Sequence, residues 1–317
     1  MGIRSPYPFE RAGIWMQSRI KHIRGIMKIQ EQSLLARVSI KKWSNAKTDK
    51  NLTDEVAESK NANPDLIRVR KTLINAPAVK ELTKLAGRVR NNIVGKLTIP
   101  WNEDGTRLLP VELIDRFEKE LSDAKDRWGE LTEELGDTYD TYIERAEHDL
   151  GDAFDATDYP SREDILSRYR IDVDYTPLPT GGDLRVSLPQ AKLDRLREDV
   201  ERQVQSKVED AMETVHKRVV DTLNHLVDKL RAFGVDAKTG KAIGVFRDST
   251  VENLNDLVEI LAVLNVTGDP RLTAASNDLL TQLRDLDPEA LRQSEGHRKD
   301  VAEKAQSIVD DLTGFYD

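Results

Sequence analysis

Apolar side chains recur at steps of three and four residues along two long stretches of the chain. The first stretch runs from 111 to about 155, and its apolar members are Ile114, Phe117, Leu121, Ala124, Trp128, Leu131, Leu135, Tyr139, Tyr142, Ala146, Leu150 and Ala153. The second follows Pro189 and contains Leu193, Leu196, Val200, Val204, Val208, Ala211, Val215, Val219, Leu223, Leu226, Leu230 and Phe233. This spacing predicts two helices with one apolar face each, and the first pattern lasts about six heptads, as in a coiled coil. At ~1.5 Å per residue, each helix of about 45 residues would be roughly 65 Å long.

Two short segments of alternating character lie between these helices, at 170–175 and 183–188. They flank the turn-forming sequence TPLPTGG and therefore predict a β-hairpin over 170–188, at the far end of an antiparallel pair of long helices. Such a tip is a candidate contact point. It could equally cap the helices or pair with a strand predicted at 34–43, and both alternatives stay open at this stage.

The sequence thus predicts a mainly α fold: a long, coiled-coil-like antiparallel helical hairpin with a small β element and a C-terminal helical part. Pro64 and Pro77 each stand where a first helical turn is expected, which predicts helices over 64–75 and 77–95. The predicted segments are a basic N-terminal helix or leader at 1–33, with Met27 as an alternative start to Met1; a basic α+β segment at 34–110; the hairpin at 111–234; and a C-terminal helical region at 235–317.

Composition excludes several classes of protein. The 317 residues include no cysteine, which excludes disulfides, thiolate metal sites and cysteine nucleophiles and favours a reducing compartment. No stretch approaches 18 consecutive apolar residues, so no membrane span is expected. The start carries no apolar region of the kind that a secretory signal has. These features predict a protein of the cytoplasm.

Charge is distributed unevenly along the chain. Residues 1–100 hold 20 Lys and Arg against 8 Asp and Glu, a charge of +12, whereas residues 101–317 carry −21. The basic part could face nucleic acid, dock on an acidic partner protein, or fold onto the acidic part of its own chain. The sequence leaves all three possibilities open.

If the basic part binds nucleic acid, candidate residues can be identified, because tryptophans are interspersed among its lysines and arginines. Trp15, Trp43 and Trp101 could stack on bases of a single strand, or they could be core residues. The predicted nucleic-acid-binding residues are Lys41, Lys42, Trp43, Arg68, Arg70, Lys71, Lys80, Lys84, Arg88 and Arg90.

Catalytic patterns are weak. Asp149, Asp152 and Asp155 recur every three residues and could hold Mg²⁺ or Ca²⁺ for a hydrolase, although a solvated acidic helix face explains them more simply. The five histidines form no HxxxH or HExxH pair. We therefore predict a non-enzymatic protein with no catalytic residues, no metal site and no cofactor.

A family likeness rests on the segments VSIKKW, KTLINAPAVKEL, IPWNEDGTRLLP, DYPSREDILSRY and LPTGGDLRVSL, which together extend over about 34–230. In these segments the chain resembles a family of tailed-bacteriophage and prophage proteins of unknown function. The resemblance implies a non-structural phage protein in the host cytoplasm, associated with DNA metabolism.

Two functional hypotheses follow from charge, pattern and resemblance. The first is a self-associating binding or scaffold protein, a homo-oligomer that contacts DNA through its basic N-terminal third. The second is an adaptor or inhibitor that binds a host or phage protein through the acidic helical hairpin. The metal-dependent hydrolase is a third, weaker alternative.

Overall fold

The computed structural model describes residues 29–184, 186–235 and 242–314. Most of the helix or leader predicted at 1–33 lies outside the described residues. Residues 29–32, near its C-terminal end, are described and are helical. Among the described residues, no helix combines the length and the apolar character needed to cross a bilayer.

The fold is mainly helical with a small antiparallel sheet, as the sequence predicts. The helices, in chain order, are α1 Lys50–Ser59, α2 Pro77–Arg88, α3 Ile114–Leu150, α4 Arg162–Ser167, α5 Gln190–Ala232, α6 Asp248–Leu264, α7 Pro270–Gln282, α8 Pro288–Gln293 and α9 Glu295–Thr313. The strands are β1 Ser33–Lys41, β2 Ala46–Asp49, β3 Val69–Thr72, β4 Ile99–Pro100, β5 Arg107–Pro110, β6 Arg170–Pro177, β7 Gly234–Val235 and β8 Ala242–Ile243. A π-helical segment, Val89–Val94, continues α2 and leads into a short α-helical turn, Gly95–Leu97.

Helix starts follow local sequence chemistry. Proline occupies the first helical turn of α2, α7 and α8, where a missing N–H costs no hydrogen bond. The carboxylates of Asp269 and Asp287 precede two of these prolines and accept hydrogen bonds from the backbone N–H groups of Arg271 and Glu289. Ser161 and Ser294 cap α4 and α9 in the same way.

The larger sheet has the strand order β4-β5-β1-β6. β1 and β5 are antiparallel, with Ser33 opposite Pro110 and Ala36 opposite Arg107. β6 lies next to β1, so the first predicted strand of the 170–188 hairpin pairs with the strand predicted at 34–43. The second strand of that hairpin is wrong: a 3-10 turn forms at Gly181–Asp183, and the described residues of 184–188 contain no strand.

The predicted helix at 64–75 is also wrong. Pro64 begins a single 3-10 turn that ends at Leu66, and β3 follows and pairs antiparallel with β2. A strand places alternate side chains on opposite faces, so Lys71 reaches Asp49 and Asp158 inside the unit while Arg70 stays exposed.

The chain divides into two compact units that interleave along the sequence. The first unit comprises Met1–Arg37, Lys96–Ile114 and Tyr175–Asp317, and the second comprises Val38–Gly95 and Asp115–Asp174.

The second unit contains almost all of α3, whose apolar stripe is buried as predicted from Phe117 to Tyr139. The indole of Trp43 packs edge-on against the ring of Tyr139, with centroids 6.3 Å apart. Tyr139 also donates a hydrogen bond to the carbonyl of Pro160. At Tyr139, the stripe of α3 is therefore covered by the segment between β1 and β2 and by the turn that leads into α4.

The first unit contains α5, which packs against α9 and α6. Its predicted apolar stripe is buried from Val204 to Leu230, whereas Leu193 and Val200 are only half-buried. The predicted coiled-coil hairpin of α3 with α5 is not confirmed. The stripe of α5 is covered by the C-terminal helices of its own unit.

Candidate nucleic-acid interface

A row of exposed cations runs along one face of α2, in the second unit. Lys80, Lys84 and Arg88 are spaced four residues apart and are all exposed, and we call these three side chains the basic row. The opposite face of the helix is buried through Leu82 and Leu85. Because burial of this face fixes the helix, the three cations point to solvent together.

One carboxylate stands within the basic row. Glu81 accepts a hydrogen bond from Lys84 at 2.6 Å, and Lys84, Arg127 and Arg88 together hold the pKa of Glu81 below its usual value. Both side chains of the Lys84–Glu81 pair are largely exposed, so this ion pair is weak and readily exchanged for another anion. This ion pair therefore leaves most of the positive charge of the basic row exposed to solvent.

A fourth cation lies beside the basic row. Lys42, just after the end of β1, donates a hydrogen bond to the hydroxyl of Thr83 at 3.2 Å. Thr83 itself is exposed on α2. The structure thus brings together predicted residues from two separate parts of the sequence.

The remaining predicted cations divide into exposed and buried ones. Lys41, Arg68, Arg70 and Arg90 are exposed. Lys71 is buried, and its ammonium lies 2.9 Å from Asp158 and 3.0 Å from Asp49. A side chain held in this way cannot reach a phosphate, so Lys71 does not belong to a surface interface.

The tryptophans do not form the predicted stacking surface. Trp43 is 6% exposed and Trp101 is 7% exposed, so both are core residues and neither can accept a base on its ring face. Trp15 lies outside the described residues. Binding at the basic row would therefore rest on charge rather than on stacking.

Folding of the basic part onto acidic residues of the same chain does occur at particular lysines. Lys47 and Lys71 both bind the carboxylate of Asp158, and Lys96 lies 2.5 Å from Asp256. This alternative therefore accounts for these three cations. It does not account for the basic row.

The candidate metal ligands are not brought together. α3 ends at Leu150, so Asp152 and Asp155 do not continue its face, and Asp155 instead accepts hydrogen bonds from the N–H and hydroxyl of Thr157. Asp149 is exposed beside His148. Within the described parts of the chain, no group of three or more His, Asp or Glu side chains could hold a metal ion.

The sequence did not predict a polar cluster that lies in the first unit. His216 Nε2 lies 3.0 Å from the carboxylate of Asp269, and Arg271 lies 3.1 Å from it. The carboxylate would have a raised pKa from burial alone, but hydrogen bonds from Arg271 and His216 bring its pKa to about 2. The Asp-Pro start of α7 signals the cap, but no sequence signal connects His216 with a residue 53 positions later.

Comparisons of the chain with protein-family models, with curated proteins and with solved structures find no match.

Proposed function

We propose that this protein is a non-enzymatic nucleic-acid-binding protein that contacts the phosphate backbone through the basic row. The observation that carries the proposal is the exposure of Lys80, Lys84 and Arg88 at helical spacing on one face of α2. Neither Lys80 nor Arg88 has a carboxylate within 4.0 Å among the described residues.

The dimensions of the basic row suit a phosphate backbone. Lys80 and Arg88 are eight residues apart, which corresponds to about 12 Å along a helix. One strand of a duplex carries a phosphate about every 3.4 Å along the axis, so about three phosphates lie within the length of the row. Lys42 adds a fourth cation beside Thr83.

The expected mode of binding follows from the burial of the tryptophan rings. Since Trp43 and Trp101 are buried, base stacking by these side chains does not contribute, and contacts to phosphate carry little sequence information. We therefore expect binding that is sensitive to salt and tolerant of sequence. The resemblance to phage proteins would place this activity in phage DNA metabolism, as an accessory or scaffold role in the host cytoplasm.

The experiment measures fluorescence anisotropy of labelled 20-nucleotide single strands and duplexes at ~50 mM salt, where phosphate contacts are strongest. The triple variant K80Q/K84Q/R88Q is expected to bind at least tenfold more weakly than the unchanged protein.

A matched control removes the same charge elsewhere. K192Q/R195Q/K217Q replaces two exposed lysines and one exposed arginine of α5, and its affinity is expected to stay within twofold. Equal losses in the two triple variants would mean that net charge, not the basic row, drives binding. Absence of binding by the unchanged protein at ~50 mM salt would overturn the proposal.

A further inference from the structure

A groove of about 400 Å³ opens in the first unit between the C-terminal end of α5, the start of β7 and α9. Leu230, Phe233 and Ala302 form part of its lining, and we call these three side chains the apolar wall. The side chain of Arg298 lines the same groove. The volume lies within the range of small-molecule sites, roughly 300–1,000 Å³. The groove can therefore hold the apolar body of a small ligand beside a guanidinium.

The side chain of Arg298 is 6% exposed, and one side of its guanidinium has structural partners. Nη1 donates hydrogen bonds to the carbonyls of Leu291, at 2.8 Å, and Arg292, at 3.0 Å, at the C-terminal end of α8. The guanidinium also lies over the ring of Phe233, with its central carbon 5.2 Å from the ring centroid. These contacts fix the plane of the group and occupy two of its five N–H donors.

The other edge of the guanidinium, formed by Nε and Nη2, has no acceptor among the described residues. Solvent reaches both nitrogens, because the enclosed polar atoms without a partner belong to other side chains. Leu291 and Arg292 do not line the groove, so Nη1 points away from it and the free edge is turned towards it. Buried charges are usually paired, and the parallel N–H groups of such an edge match a carboxylate. The free edge of Arg298 therefore indicates an anionic ligand.

The charges around the groove narrow the class of anion. Three cations and two anions line it, a net charge of +1: Arg231, Arg298, Lys299, Glu295 and Glu303. Lys299 lies 2.9 Å from Glu295, and Glu303 disfavours a second negative charge on a ligand. We propose that this groove binds a small organic monocarboxylate, whose carboxylate accepts hydrogen bonds from Nε and Nη2 of Arg298 and whose body lies against the apolar wall.

The experiment follows the Nε–H of Arg298 by ¹⁵N–¹H NMR of the full-length protein, and the R298K variant identifies this signal by its loss. The probe is 3-phenylpropanoate. Its amide is a neutral molecule of the same shape, and inorganic phosphate is an anion without an apolar body. We expect 3-phenylpropanoate to move the Arg298 signal downfield and to saturate, and the two comparison molecules to bind at least fivefold more weakly.

Two glycine variants separate binding from folding, with affinity measured by calorimetric titration. Gly234 lines the groove and a Cβ added there meets nothing within 4 Å, so G234L would fill the groove without strain. We expect it to weaken 3-phenylpropanoate binding at least tenfold. G296L is the matched control, because Gly296 lies in α9 of the same unit, has equally open space and does not line the groove. Its affinity is expected to be unchanged.

Each outcome decides one part of the proposal. An Arg298 signal that no probe moves, together with no heat of binding, would mean that water alone meets the free edge, and it would overturn the site. Equal affinity for 3-phenylpropanoate and its amide would overturn the assignment of an anion, and equal affinity for phosphate would overturn the apolar body. Binding that survives G234L would place the ligand elsewhere.

Discussion

The ammonium of Lys71 lies 2.9 Å from the carboxylate of Asp158, and the two side chains are only 7% and 1% exposed. This pair joins β3 to the turn that follows α3. Burial alone would raise the pKa of Asp158, but hydrogen bonds from Lys47 and Lys71 lower it below its usual value. The charged pair is therefore a structural connection inside the second unit.

Removal of Lys71 is expected to destabilise the protein strongly. K71M leaves Asp158 buried with less compensation, and loss of one member of a buried pair costs about 3 kcal/mol in the free energy of unfolding. Lys47 binds the same carboxylate from a side chain that is 53% exposed, so K47M is expected to cost under about 1 kcal/mol. Urea denaturation of both variants measures the difference. A cost for K47M equal to that for K71M would contradict this account.

The charge of Lys71 was evident from the sequence, but its inward orientation was not. Its charge made it a candidate for nucleic acid, but in β3 it points inward while Arg70 points outward. The sequence of residues 69–73, VRKTL, shows no apolar–polar alternation because the inward-facing residue is itself a lysine, and Pro64 favoured a helix. Charge alone does not distinguish a buried ion pair from a surface contact.

The apolar stripes of α3 and α5 were predictable because helical periodicity identifies the buried face of a helix. Their partners were not, since periodicity does not say what covers that face. The stripe of α5 packs on α9 and α6, far along the chain. In the candidate interface, the spacing of Lys80, Lys84 and Arg88 was predictable from α2, whereas the approach of Lys42 to Thr83 required the tertiary structure.

Acid is expected to weaken the cluster around Asp269. Its pKa is about 2 in the folded protein against an ordinary 3.8, so its stabilising effect is present above pH ~4 and disappears as the pH falls towards 2. D269N keeps an N-cap but loses the charge that Arg271 and His216 bind. We expect D269N to cost about 1–2 kcal/mol at pH 5 and little at pH 2.

D287N is the matched control for that measurement. Asp287 also precedes a proline and caps α8 through the N–H of Glu289, and no arginine or histidine binds its carboxylate among the described residues. A smaller loss is expected at pH 5, because asparagine caps a helix as well as aspartate does. The readout is the free energy of unfolding in urea at each pH. Equal losses for D269N and D287N at pH 5 would reject the contribution of His216 and Arg271.

Two glycines of α3, seven residues apart, are expected to respond in opposite ways to leucine. A Cβ at Gly136 would lie 3.1 Å from two methyl carbons of Leu166, so G136L overpacks the contact with α4 and is expected to cost about 1–3 kcal/mol. Gly129 has open space, and leucine there gains about 0.8 kcal/mol of helix propensity. Thermal unfolding should show a lower Tm for G136L and an unchanged or higher Tm for G129L. A lower Tm for both would mean that the α3 surface at Gly129 is also packed.

The salt dependence of nucleic-acid binding tests how many cations of the basic row meet phosphates. Each phosphate contact contributes about −0.9 to the slope of log K against log salt for duplex DNA and about −0.7 for a single strand, because counterions are released. K80Q, K84Q and R88Q are each expected to make the duplex slope less steep by about 1. K84Q is expected to show the smallest change, since Lys84 already pairs with Glu81 at 2.6 Å and binds phosphate only by exchanging that partner. E81Q should accordingly strengthen binding by a few-fold. A steeper slope or weaker binding in E81Q would show that Glu81 orients Lys84 towards the ligand instead of competing for it.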